Sequence, residues 1–305
     1  MKTPLALVLA SILAPVAFAQ EDAKEAPAEK PARQLEAELT IQGFAIGGAD
    51  FDGDNGDVSV SNVGAELGVD IPAGERGTLS LSIGSTWSFY DFGGDAGFGA
   101  SEPWEDVVQY TAGVRYSRKI NDEWGWFTGG FVASSGEQDA DFSATITGAG
   151  YAGASYAASE KFRIAFGLGY ATRLEDDGYV IPIINFNWKL ADRWTLSTDT
   201  QAQGAGIKLA YQACDSASIF LSGGYLFREY RLSEDGATPD GVGRDSGIPI
   251  AIGTDWTISP QVTFSVRGGM LFGREFELDD REGQELQELD ADAAPFLTAA
   301  LRFSF

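Results

Sequence analysis

Asp50, Asp52, Asp54 and Asp57 place carboxylates at close spacing around Gly53 and Gly56, in a stretch able to turn tightly. Oxygens so arranged suit a hard cation, and calcium takes six to eight of them. An EF-hand loop also needs Gly at its sixth position and Glu at its twelfth. Counted from Asp50 those positions hold Asn55 and Ser61, and no helices flank the loop. The four aspartates are thus a metal candidate that lacks a full ligand set, and they read first as a solvated acidic loop. A second run, DDREGQELQELDAD at 279–292, is denser still. Leu286 and Leu289 are three apart, which allows a short surface helix. Paired carboxylates can hydrolyse glycosides, but nothing around these suggests a walled cleft. They read as an outer loop, with divalent cations bridging it to lipopolysaccharide.

Histidine is absent from the chain. Ser-His-Asp and Cys-His catalysis, His general bases and His metal ligands fall away together. The expectation is no enzyme and no cofactor. Cys214 is the sole cysteine, so no intramolecular disulfide can form, and it reads as a buried or rim-facing thiol. The formal net charge of −24 argues against nucleic acid, whose phosphates need the opposite sign.

The remaining chemistry lies on strands. Apolar and polar residues alternate with period two over most of the chain, the pattern of a strand with one greasy and one wetter face. In 106–120, Val108, Tyr110, Ala112, Val114 and Tyr116 oppose Gln109, Thr111, Arg115 and Ser117. Fourteen such segments can be read: 35–46, 58–71, 77–92, 106–120, 124–135, 141–157, 161–174, 179–190, 194–202, 205–214, 218–232, 247–258, 261–278 and 293–305. Twelve is the count if the short segments around 203–206 form one longer excursion. Connections alternate between tight turns, such as Ser159-Glu160 and Ser259-Pro260, and long loops at 47–57, 93–105, 233–246 and 279–292. Short turns on one side and long loops on the other describe a transmembrane β-barrel with both termini in the periplasm. Trp124, Trp126, Trp188, Trp194 and Trp256 fall near the turns, and Trp87, Phe89, Tyr170, Tyr179, Tyr225 and Phe227 near the loops. Two aromatic girdles at the membrane interfaces are expected.

Residues 1–19 have the Lys2 n-region, an apolar core and the Ala17-Phe18-Ala19 site of a cleaved signal peptide. Residues 20–34 are Ala, Pro and charge, a disordered linker, and 35–305 form the barrel. The chain ends on alternating Leu297, Ala299, Leu301, Phe303 and Phe305. This segment resembles the C-terminal strand of bacterial outer-membrane barrels, where a final Phe is the usual assembly signal. That resemblance implies the outer membrane of a Gram-negative-type bacterium, and as partners periplasmic chaperones and the barrel-assembly machinery. The runs 182–194, 206–211 and 220–232 (PIINFNWKLADRW, GIKLAY and FLSGGYLFREYRL) resemble an uncharacterised family of outer-membrane barrels of unknown function. They carry location and fold, and no chemistry.

With the wetter face inward, the interior charges are Arg115, Arg163, Arg173, Lys189, Lys208, Arg228, Arg267 and Arg302 against Glu36, Glu38, Glu66, Asp199 and Asp255. Left unpaired, they make a mildly basic wall that favours anions, with Arg115 and Arg267 near the narrowest zone. Paired across the interior, they close it. Two functions follow: a small passive or semi-selective channel for polar solutes, or a structural, surface-interacting barrel with acidic outer loops and no transport role. A third, a hydrophobic-ligand transporter, calls for a lumen lined with apolar side chains, which the inward faces do not supply.

Overall fold

A computed structural model describes residues 34–53, 56–94, 102–175, 177–199 and 204–305. The expected signal peptide and nearly all of the linker lie outside them, as does Asp54. The strands are β1 Glu36–Asp50, β2 Asp57–Ala73, β3 Gly77–Gly93, β4 Val107–Lys119, β5 Trp124–Glu137, β6 Ile146–Ser159, β7 Phe162–Ala171, β8 Tyr179–Ala191, β9 Trp194–Asp199, β10 Gly204–Cys214, β11 Ala217–Arg231, β12 Val242–Ser259, β13 Val262–Asp279, β14 Glu285–Ala291 and β15 Ala294–Ser304.

Consecutive strands pair antiparallel from β1 to β13, and β15 joins β13 to β1 and closes the ring. Fourteen strands therefore make the wall. The fifteenth, β14, stands outside the ring: it pairs along the overhanging end of β13, and its last residue, Ala291, bridges to Phe51. The acidic run expected as an outer loop or short helix is thus largely an extended hairpin arm. Leu286 and Leu289 occupy β14, where cross-strand bonding to β13 replaces any helical turn.

Period-two alternation puts Ile41, Leu67, Ile83, Val114, Val132, Leu168, Ile184, Ile207, Ile252 and Leu297 on the outer surface, each exposed. So broad an apolar belt needs lipid around it. Near the short turns the girdle is built of cross-strand pairs: Trp124 with Tyr156 at 4.5 Å, Trp194 with Tyr211 at 5.0 Å and Phe162 with Trp188 at 5.7 Å. Cys214 is exposed at the turn end of β10.

Two departures from regular alternation shape the interior. Gly273 sits at φ +52° in β13, in the left-handed region open to glycine. Register shifts beside it, between Ser246 and Ile248 of β12. A bulge of this kind turns later side chains to the other face. Ser265, Arg267 and Leu271 point inward below it, and Arg274, Phe276 and Leu278 above it, all three buried. The second departure is a pinch. β11 pairs with β10 as far as Leu226, and at its outer end Arg231 pairs in parallel with Gly136 of β5. A Cβ on Gly136 would lie 2.9 Å from the Arg231 carbonyl oxygen, so only glycine lets the strands meet this closely. The top of β11 therefore crosses the interior. Phe227, expected in the outer aromatic girdle, lines the cavity instead, as does Tyr179 at the start of β8.

Candidate functional site: the barrel interior

From the turn end upward, the inner wall begins with polar residues. β1 contributes Glu36, Glu38, Thr40 and Gln42, β3 contributes Ser80, Ser82 and Thr86, and β4 contributes Gln109, Thr111 and Arg115. They line a cavity of about 600 Å³ that runs from the periplasmic rim at Ser304 and Phe305 to Arg228, Glu229 and Tyr230.

The same inner faces turn apolar above that level. On β1, Phe44 and Ile46 follow Gln42; on β2, Val58 and Val60 precede Asn62; on β3, Tyr90 and Phe92 follow Ser88. Together with Phe51, Trp104, Phe276 and Phe296 they form one buried cluster that fills the outer end. Its rings pack edge to face, Phe92 with Trp104 at 5.1 Å and Phe51 with Phe276 at 5.3 Å, a favoured aromatic geometry. Trp104 comes from the segment before β4 and is 2% exposed.

A charged knot is embedded in this apolar cap. Asp245, fully buried, accepts from Arg228 at 3.2 Å, from Arg274 at 3.4 Å and from the Tyr90 hydroxyl at 3.3 Å. The Arg274 guanidinium also stacks on Phe276 at 4.5 Å. Buried charge is tolerated only when paired and hydrogen-bonded, and such a set breaks expensively. Around the pinch, Arg231 donates to the Ala144 and Asp240 carbonyls and to Glu175 at 2.6 Å. Ser135 of β5 donates to the Glu229 carbonyl at 2.8 Å.

Glu66, Arg115, Arg267 and Arg302 line the cavity. Asp199 accepts from Arg267 at 2.9 Å across the interior. Lys208 donates to Asp255 at 2.8 Å and lies over the Phe220 ring. Arg163 is on the inner face of β7 near the periplasmic turn and does not line the cavity. Arg302 pairs with Glu38 at 3.3 Å, Arg228 with Asp245, and Arg173 with Glu229 at 3.1 Å. Five of the eight expected bases are therefore neutralised by a neighbouring acid. This corrects the expectation of a basic wall. Alternation on β2 also turns Asp70 inward beside Glu66, and Glu229 and Asp245 join the interior where β11 and β12 leave simple alternation. Among the described residues, Arg115, Glu36, Glu66 and Asp70 line the cavity without an ion pair, so its unpaired charge is mainly acidic.

The two acidic outer segments meet. Asp52 donates its N–H to the Asp290 carbonyl at 3.0 Å, Asp292 donates to the Asp50 carbonyl at 2.9 Å, and Phe51 bridges to Ala291. Asp57 pairs with Asp50 at the end of the β1–β2 hairpin. Among the described residues no group of three or more potential ligands is placed to hold a metal. Phe303 faces outward on β15, opposite Leu39 and Val262. Phe305 is 75% exposed, and its backbone bonds to Ala37 in both directions.

The family described as "Domain of unknown function (DUF6268)" matches residues 51–304. Among solved structures, the chain is similar to the COG4313 outer membrane channel from Pseudomonas putida F1. Identity is 10%, coverage 92% of this chain and 100% of that one, and the TM-score 0.50. A Pseudomonas aeruginosa FadL homologue matches at 12% identity over 89% of this chain and 90% of its own, with TM-score 0.47. At 10% identity the likeness to the first of these extends to the fold alone. No curated protein sequence matches.

Proposed function

The chain belongs to the DUF6268 family and is a fourteen-stranded outer-membrane β-barrel; from that premise we propose a gated channel for small polar solutes. The observation that carries this reading is the division of the interior. A cavity of about 600 Å³, lined by Ser, Thr, Gln and charged residues with apolar side chains among them, reaches the periplasmic rim and stops beneath a buried aromatic cap. A barrel serving only as scaffold has no need of a hydrated lumen, and a general diffusion pore has no use for a sealed outer end. Apolar constrictions gate by excluding water, so movement of the cap would open the path.

Planar-bilayer conductance of the refolded protein tests the proposal. Wild type should show little steady conductance. Phe276→Ala and Trp104→Ala, which hollow the cap, should show discrete openings and admit small neutral solutes into liposomes. If both variants fold yet neither conducts, the structural barrel with no transport role is the better reading.

A further inference from the structure

We infer that Arg115, Tyr151 and Asp70 form a subsite in the lower cavity for a zwitterionic solute, its carboxylate held by Arg115 and Tyr151 and its cationic group turned toward Asp70. This deepens the channel reading and rests on it for the route by which the solute arrives.

One cross-strand row carries the site. Glu36, Asp70, Ser80, Arg115, Gly129 and Tyr151 are successive register partners from β1 to β6, and all but the glycine line the cavity. Of the five arginines lining the cavity, four are spent on Glu229, Asp245, Asp199 and Glu38. Arg115 makes no ion pair among the described residues, and its buried Nε has no hydrogen-bond partner. Its guanidinium lies 5.3 Å from the centre of the buried Phe127 ring, which supports it without consuming its donors. Tyr151 lies on the other side of Gly129, close enough that a Cβ there would come within 2.6 Å of its hydroxyl. A planar guanidinium fork with free donors beside a phenol is a receptor for a carboxylate.

The surrounding charge selects the rest of the solute. Among the described residues Glu36, Glu66 and Asp70 line the same cavity without an ion pair, so a solute whose only charge is negative meets more repulsion than attraction. Asp70 stands two strands from Arg115 with Ser80 between them, a backbone separation of about 10 Å that the two side chains shorten. A molecule carrying both signs a few bonds apart satisfies both ends. Amino acids and short peptides have this form.

Calorimetry on the refolded barrel in detergent tests the site with a matched set: γ-aminobutyrate, butyrate and butylamine. γ-Aminobutyrate should bind wild type at least about tenfold more tightly than either singly charged analogue, since each charged end adds a charge-assisted hydrogen bond. Arg115→Met and Asp70→Asn should each cost at least about tenfold, and Tyr151→Phe less. Arg163→Met, an inner-face base outside the cavity, should change nothing. Heat-modifiable migration identifies folded variants, and if Arg115→Met fails to fold, Tyr151→Phe and Asp70→Asn still decide. Butyrate binding as tightly as γ-aminobutyrate, no binding of γ-aminobutyrate, or insensitivity to all three substitutions overturns the subsite. Binding that obeys these rules in a barrel whose Phe276→Ala variant never conducts would sink the channel reading and leave the subsite standing.

Discussion

The lower and outer halves of the interior are built from the same strands and do opposite things with them. In the lower half the inward faces carry Ser, Thr, Gln and charge around open space; in the outer half they carry Phe, Tyr, Trp and Val against one another. Lipid-facing positions alternate with interior ones in both, so the membrane does not distinguish the halves. The difference comes from what the strands do at their loop ends. Regular strands of a fourteen-stranded ring leave a bore, whereas the β5–β11 pinch and the bulge at Gly273 bring side chains to the axis. Strand number makes the lumen, and local irregularity closes it.

Substitutions that strike one half can break this contrast. The largest effect is expected from Asp245→Asn, which leaves Arg228 and Arg274 facing each other in the apolar cap and should cost about 3–5 kcal/mol. Arg302→Gln at the lower rim opens a partly exposed pair and should cost under about 1 kcal/mol. Equal costs in urea unfolding, followed by tryptophan fluorescence, would remove the distinction between a dry cap and a wet lumen. Phe276→Ala should cost about 3–5 kcal/mol through the cavity it leaves, besides opening conductance.

Gly136→Val tests the pinch alone. Its side chain would meet Arg231 and Thr145, so a loss of about 1–3 kcal/mol from overpacking and a rise in conductance are expected. Unchanged conductance in a folded Gly136→Val barrel would mean the cap seals without β11. The periplasmic girdle should matter to stability and leave the interior untouched. Trp188→Ala removes an edge-to-face contact with Phe162 worth about 0.5–1.5 kcal/mol beyond the area it covers, and conductance should stay at the wild-type level.

Most of the wall was legible in the sequence because its cause is local. A strand between lipid and water must alternate, and Val108 to Tyr116 against Gln109 to Ser117 could be placed on the two faces of β4 from spacing alone. Tight turns such as Ser159-Glu160 fixed antiparallel neighbours, and the aromatic positions near them fixed the membrane boundary. That the interior carries Arg115, Glu66, Arg267 and Arg302 follows from the same parity.

Tertiary structure alone decided what those interior residues meet. Arg267 and Asp199 are 68 positions apart and pair only because the ring brings β13 and β9 face to face. Parity continued from Arg267 would turn Arg274 and Phe276 outward; one residue at φ +52° reverses every later side chain, and nothing in the spacing around Gly273 marks it apart from the chain's other glycines. The pinch joins Arg231 to Gly136 across almost a hundred residues, and neither strand announces the other. Alternation records which side of the wall a residue faces, since water and lipid impose that choice residue by residue. Whether the enclosed space stays open depends on contacts across the ring, which exist only once it has closed.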